Sequence, residues 1–157
     1  MKTAIIYISK HGTTFKIASK ISEKLSGEVH LINLEKTKMK TLDEFDRIII
    51  GGSIHMGKIH KRTAAFINKF YNDLMLKELG LFLCCMETGD KAKEQFNNAF
   101  PTELRNHAKS TGLMGFEYLL EKMGFIEKMM VKKITGKDQS FSKIDETAIT
   151  EFAANFS

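Results

Sequence analysis

Thr3-Ala4-Ile5-Ile6-Tyr7-Ile8 runs directly into Ser9-Lys10-His11-Gly12-Thr13-Thr14, and the reading of this junction decides the fold. A β-branched apolar run is a strand signal. Beyond the junction, Thr14, Ile17, Ala18, Ile21 and Leu25 fall on one helical face, and Gly27 stops the pattern. Strand, hydroxyl- and glycine-bearing turn, then helix is how an α/β protein builds a phosphate cradle. Backbone N–H groups converge there, and the helix dipole adds roughly half a positive charge. Ser9, Thr13 and Thr14 are expected to donate from their hydroxyls, while Gly12 lets the backbone approach closely. The turn matches neither G-x-x-x-x-G-K-[ST] nor G-x-G-x-x-G, which disfavours an ATPase loop and a dinucleotide fingerprint. A site for a single phosphate, hence a mononucleotide, is what remains.

Outward from this junction the chain keeps alternating. Glu28 to Asn33 reads as a second strand, and Arg47-Ile48-Ile49-Ile50 as a third that ends at Gly51-Gly52. A continuous β-branched run of that kind belongs to a strand covered on both faces. Helix is predicted over 61–77, with Thr63, Phe66, Ile67, Phe70 and Leu74 at helical spacing. Leu79 to Cys85 makes a fourth strand, 91–108 a helix broken before Pro101, and Thr111 to Tyr118 a fifth strand. Residues 119–135 read as helix, and Ser142-x-x-Asp145 as a capping box opening a last helix. Strands alternating with helices imply right-handed crossovers and a parallel sheet. The expectation is one five-stranded α/β domain spanning 1–157.

Composition narrows the class. The chain has 157 residues, 43% hydrophobic and 27% charged, as in ordinary globular proteins. No apolar run approaches the ~20 residues of a membrane span, and the opening run falls short of the roughly 7–15 of a signal-peptide core. A cytoplasmic protein is expected. Cys84 and Cys85 are adjacent, so on a strand they point to opposite faces and make poor disulfide partners. They read as small buried hydrophobes, and with no further ligands at zinc spacing no metal site is expected. The net charge of +5 favours anionic partners. Nucleic acid is not among those expected, because no basic patch carries interleaved aromatics.

In an open α/β sheet, ligands sit beyond the carboxyl ends of the strands, at the switch in strand order. Three such ends carry glycines and polar groups, at 9–14, 51–60 and 85–91. If strands one, three and four are neighbours, the three loops converge. One loop for a phosphate and two to clamp a flat ring describe a flavin mononucleotide (FMN) site. Ser9, Lys10, His11, Gly12, Thr13 and Thr14 would form the phosphate loop. A resemblance to the flavodoxins, whose two further loops hold the isoalloxazine, implies Ser53, Ile54, His55, Met56 and Gly57 and also Cys85, Met86, Glu87, Thr88, Gly89 and Asp90 as the rest of the site.

On these residues the chain resembles the flavodoxins, which implies a three-layer sandwich with a parallel sheet in the order 2-1-3-4-5 and bound FMN. Within that superfamily, Gly51-Gly52-Ser53-Ile54-His55-Met56-Gly57-Lys58-Ile59-His60 is similar to the G-x-S-I-x-x-G-x-x-H segment of the menaquinone-dependent protoporphyrinogen dehydrogenases. The basic, methionine-rich stretch ending Met129-Met130-Val131-Lys132-Lys133-Ile134-Thr135-Gly136 is similar too. This resemblance implies a porphyrinogen substrate, a quinone as electron acceptor and a place in haem-precursor oxidation. The long insertion those enzymes carry around the fourth and fifth strands is mostly missing here. Ordinary electron-carrier flavodoxins, the alternative, exchange electrons with redox protein partners. They are typically acidic and set an aromatic ring against the flavin, whereas this chain is basic and offers His55 or Met56.

His55 is the candidate catalytic residue, since an imidazole beside a flavin stabilises an anionic reduced ring or relays protons. His60 reads as a surface residue in a first helical turn. The carboxylates of Glu87 and Asp90 are expected in solvent, with Asp90 capping the next helix. Leu119, Met123, Ile126, Met130 and Ile134 share a face, while Lys122, Lys128, Lys132, Lys133 and Lys137 cluster against Glu121 and Glu127. Residues 119–137 are therefore either a core-packing helix or a surface for anionic membrane, porphyrin or quinone.

Overall fold

The structure, a computed structural model, describes residues 1–9, 12–118, 124, 128–129, 132–133 and 141–157. Five strands form the parallel core of the sheet: β1 (Lys2–Tyr7), β2 (Glu28–Asn33), β3 (Arg47–His55), β5 (Glu78–Cys84) and β6 (Ser110–Leu113). Their order is β2-β1-β3-β5-β6, which is the expected 2-1-3-4-5. A two-residue strand β4 (Lys58–Ile59) folds back antiparallel on the end of β3, and β7 (Gly115–Tyr118) pairs with β8 (Phe141–Ile144) in a separate ribbon.

The alternation of side chains along the strands divides the core into two layers. Ala4, Ile6, Ile48, Ile50, Leu79, Leu81 and Leu83 face one side. There they meet α2 (Lys61–Lys69), α3 (Tyr71–Leu74), α4 (Gly89–Ala99) and α5 (Thr102–His107). Ile5, Tyr7, Ile49, Phe82 and Cys84 face the other, against α1 (Thr13–Lys24) and α6 (Glu146–Ala154). Every one of the three central strands is thus buried on both faces, which is why they read as unbroken apolar runs.

Several boundaries differ from the sequence reading. β3 does not end at Gly51-Gly52 but continues through both to His55. A Cβ at Gly51 would stand 2.0 Å from the Phe82 ring, so the glycine makes room for an aromatic from the next strand rather than ending its own. The predicted fifth strand divides at Met114. Gly115, at φ 80°, turns the chain out of the sheet, and a Cβ there would meet the Lys143 carbonyl at 1.9 Å. The helix predicted over 61–77 breaks at Phe70 into α2 and α3. Ser142 lies on β8, not at a cap. Asp145 caps α6 instead, accepting from the Ala148 N–H at 2.9 Å. Of the helix predicted over 119–135, Lys128, Met129, Lys132 and Lys133 are helical and exposed, Gly124 is exposed, and the rest lies outside the described residues.

At the amino ends of the strands, Arg47 is buried at 4% exposure. Its Nε donates to Glu78 Oε2 at 2.8 Å, a terminal nitrogen donates to the Phe156 carbonyl at 3.2 Å, and the guanidinium lies 4.5 Å from the Phe156 ring centre. Lys109 Nζ donates to the other Glu78 oxygen at 2.7 Å. The Lys109 bond first, and Arg47 with it, hold the Glu78 carboxyl below its ordinary value. Replacing Glu78 by Gln leaves a buried guanidinium without its counter-charge. The expected loss is about 2 kcal/mol, reduced from the ~3–5 of a fully buried pair because Glu78 is partly exposed. A depressed carboxyl contributes stability above its unfolded pKa. Urea midpoints of wild type and E78Q should therefore differ in full at neutral pH, and the difference should close as pH falls below the ordinary glutamate value of 4.5.

Candidate functional site

The carboxyl ends of β1, β3 and β5 lie side by side, so the loops after them share one edge of the sheet. The register pairs Ser53 of β3 directly with Cys84 of β5. The Thr14 and Ser53 hydroxyls hydrogen-bond to each other, and the Cys84 thiol lies within hydrogen-bond reach of both. Thr14 is 1% exposed and Cys84 fully buried. Burial pushes the Cys84 thiol up to about 12, so it stays protonated. Three side chains, from α1, β3 and β5, thereby make one largely buried knot beneath the crevice.

Above the knot stands the first turn of α1. Gly12 occupies its N-cap position at φ 85°, a left-handed conformation that glycine adopts without cost, and no side chain caps the helix. The first backbone bond of the helix runs from Lys16 N to Gly12 O at 2.8 Å, which leaves the earlier N–H groups unused by the helix. No acidic residue stands in this turn. A Cβ added at Gly12, at Gly57 or at Gly89 would meet nothing within 4 Å. Each of the three loops thus presents bare backbone to open space, an arrangement that lets a flat or anionic ligand approach main-chain donors.

The second loop is a tight hairpin, with Met56 at φ 54° and Gly57 at φ 75° as its two central residues. Both values are those of a type I′ turn, whose twist suits the flanking strands. Met56 is an unusual occupant of such a position, since a side chain at positive φ costs roughly 1–2 kcal/mol. It is 80% exposed at the tip. His55 is exposed beside it, while Ile54 packs half-buried against the core. In the third loop Met86 is 38% exposed, and Glu87 pairs with Lys91 at 3.4 Å. Thr88 is the N-cap of α4 and Asp90 lies inside its first turn, so Asp90 is not the cap the sequence reading made it.

The remaining expected site residues are placed as follows. Ser9 and Gly12 are half-buried at the crevice, and Thr88, Gly89 and Asp90 are exposed there; Lys10 and His11 lie outside the described residues. The Thr13 hydroxyl is not available as the expected donor, because it donates to the Glu117 carbonyl at 2.7 Å. Cys85 turns its thiol into the core, toward the Glu87 carbonyl at 3.7 Å, and burial raises its pKa as well. His60 caps α2, its Nδ1 accepting from the Arg62 N–H at 3.0 Å.

Two participants escaped the sequence reading. Cys84 was legible only as a small buried residue. Glu117 is a carboxylate buried on β7, with Lys16 Nζ at 3.1 Å and the Ser142 hydroxyl at 2.7 Å. Its signal was a lone acid within the apolar run Gly112 to Tyr118. An exposed aromatic, Phe15, also stands in the first turn of α1, 5.8 Å from the Tyr7 ring. Among the described residues no group of His, Cys, Asp and Glu is arranged to hold a metal, and no helix is long and apolar enough to cross a membrane.

The model of the flavodoxin domain matches residues 4–144. An uncharacterized protein of Methanocaldococcus jannaschii is 34% identical over 70 residues, which is 44% of this chain and 45% of that protein. Protoporphyrinogen IX dehydrogenase [quinone] of Escherichia coli is 29% identical over 72 residues, 44% of this chain and 40% of that enzyme. The chain thus matches less than half the length of either relative. Among solved structures, a flavodoxin from the domain Archaea superposes with a TM-score of 0.57 over 99% of both chains at 15% identity, a likeness of fold.

The burial of both thiols has a direct test. Neither Cys84 nor Cys85 of the native protein should react with iodoacetamide at mildly alkaline pH, and both should react after unfolding in guanidinium. Peptide mass mapping reads the two sites separately, and fast labelling of native Cys84 would contradict the buried knot.

Proposed function

The chain belongs to the flavodoxin domain family, and from that membership and the three bare-backbone loops we propose that it is a redox protein that binds FMN. The observation that carries the proposal is the open space at Gly12, Gly57 and Gly89, one glycine on each converging loop. Residues and cofactor fit. The uncapped turn at Gly12 to Phe15, with Ser9 at its side, would hold the phosphate through backbone N–H groups and the helix dipole. Met56 and His55 would lie along the ring from one side, and the backbone of Met86 to Gly89 would meet its polar edge. When bound, the isoalloxazine would supply reversible uptake of electrons and protons. The chain's part is to orient it, to keep water from one face and to hold or move a proton at the His55 imidazole.

In the finer reading the substrate is a porphyrinogen and the acceptor a quinone. The match of Gly51 to His60 and the likeness to the E. coli enzyme support it. His55 then acts on the proton released as substrate is oxidised, and residues 119–137 meet anionic lipid at the inner face of the membrane, where quinone dissolves. In a second reading the chain is a carrier between redox proteins, and the exposed cations Lys58, Lys61 and Arg62 beside the second loop then call for an acidic partner, the reverse of the typical acidic carrier.

Flavin fluorescence titration tests the first step. FMN should bind, and riboflavin, which lacks the phosphate, should bind roughly 10- to 100-fold more weakly, the value of charge-assisted hydrogen bonds to the phosphate. Gly12→Asp, which adds both a side chain at positive φ and a negative charge, should abolish that preference. Anaerobic mixing of the FMN-loaded protein with protoporphyrinogen IX tests the second. Bleaching followed by recovery on addition of a menaquinone analogue supports the dehydrogenase, and a flavin indifferent to both leaves the carrier.

A further inference from the structure

Between Asp46 and Asp73 the chain carries no Asp or Glu. The fold gathers this acid-free stretch into the end of β3, the hairpin to β4 and the start of α2. Lys58, Lys61 and Arg62 are exposed there, and no acidic side chain pairs with any of them among the described residues. Lys2, Lys16, Lys20, Lys91 and Lys109 each have a carboxylate within 4 Å, and the exposed Lys36, Lys38 and Lys40, though without one, are flanked in the chain by Glu35, Asp43 and Glu44. The neighbouring helix α4 and the loop before it carry Glu87, Asp90 and Glu94 against Lys91 and Lys93, a net single negative charge against the three cations, so a positive excess remains. Three like charges left unpaired within five residues repel one another, and an opposite charge from outside relieves that cost.

We propose that this hairpin and the first turn of α2 form the docking face for an acidic electron-transfer protein. The inference rests on the carrier reading above, in which the same hairpin borders the flavin. Two features of the patch select a protein over a lipid surface. The apolar side chains of the arm, Ile54 and Ile59, pack against the core and cannot insert into a bilayer. Met56, exposed at the tip, is the arm's one apolar side chain left to insert, too little to anchor it in a bilayer. The cations lie on the exposed side of a hairpin, suited to a complementary macromolecular surface that long-range fields bring in. Docking there brings a partner's redox centre beside the ring edge without any conformational change in the chain. The arrangement inverts the polarity of the acidic electron carriers, whose partners are basic.

The test reads binding, not flavin turnover. The full chain is immobilised and titrated with a plant-type ferredoxin, which is acidic, with mitochondrial cytochrome c, which is basic, and with phosphatidylglycerol vesicles. Wild type should bind the ferredoxin more tightly than the cytochrome, and more weakly as salt is raised. K58E/K61E/R62E should lose about tenfold or more of that affinity and gain affinity for the cytochrome. K36E/K38E/K40E, the same charge change on the exposed lysines after β2, should leave ferredoxin binding near wild type. Circular dichroism and thermal unfolding confirm that each variant is folded. Equal ferredoxin binding by both triple variants, or binding to vesicles with none to ferredoxin, overturns the proposal. Because no flavin signal is used, a chain that docks ferredoxin but takes up no FMN refutes the cofactor assignment alone. One that takes up FMN but docks nothing refutes the docking face alone.

Discussion

The contact on which the crevice depends is the hydroxyl pair of buried Thr14 and half-buried Ser53, with the buried Cys84 thiol against both. A buried hydroxyl without a partner costs free energy on the order of 1–3 kcal/mol, so these groups are stable only when they face one another. They come from α1, β3 and β5, elements separated by 39 residues between the first two. Satisfying them holds the first turn of α1 against the ends of β3 and β5, which the sheet already sets side by side. The thiol suits this position because it is small and, at a pKa pushed to about 12, stays neutral. A carboxylate or an amine there would carry a charge that nothing nearby compensates.

Polar burial at the opposite end of the sheet has a different purpose. Arg47 is enclosed by Glu78, the Phe156 carbonyl and the Phe156 ring, and so fastens the C-terminal residues after α6 to the base of β3. Ser110 reinforces the same seam by donating to the Phe152 carbonyl at 2.9 Å. Saturated bonds mark this end. At the carboxyl ends, by contrast, glycines and an uncapped helix leave backbone groups uncommitted. Ligand sites in open α/β sheets lie at that second kind of end, where strand order switches.

The alternation of elements was legible because it rests on local pattern: β-branched runs, helical spacing, and glycine after a strand. The strand order, and with it the neighbouring of the three loops, came from the resemblance to the flavodoxins. What escaped depends on contacts remote in sequence. Gly51 reads as a stop from its own neighbours, but the Phe82 ring it accommodates lies 31 residues away on β5, directly opposite in the register. Met114 and Gly115 look like the middle of a strand until β8 is placed beside Gly115, with Ile144 opposite it and the Lys143 carbonyl against it. The capping box failed for a related reason. Ser142 and Asp145 have the right chemistry and spacing, but pairing with β7 keeps 141–144 extended, so only Asp145 is left to start the helix. Choosing between Cys84 and Cys85 needed the orientation of β5, which alternation alone leaves open by one residue.

Glu117 alters how the cradle above the knot can recognise an anion. Its carbonyl takes the Thr13 hydroxyl, and its carboxylate takes Lys16 and Ser142. One hydroxyl and one cation of the first turn of α1 are thereby committed to the β7–β8 ribbon before any ligand arrives. The donors left at this turn are neutral backbone N–H groups, aligned by the helix dipole and approached through Gly12. Recognition by oriented dipoles favours a ligand that fits the fixed geometry of a single tetrahedral anion over one that merely carries negative charge. The formal charge of the chain is then free for another use. Lys58, Lys61 and Arg62, without carboxylate partners, stand on the hairpin and the first turn of α2, where they act on whatever approaches the crevice from outside.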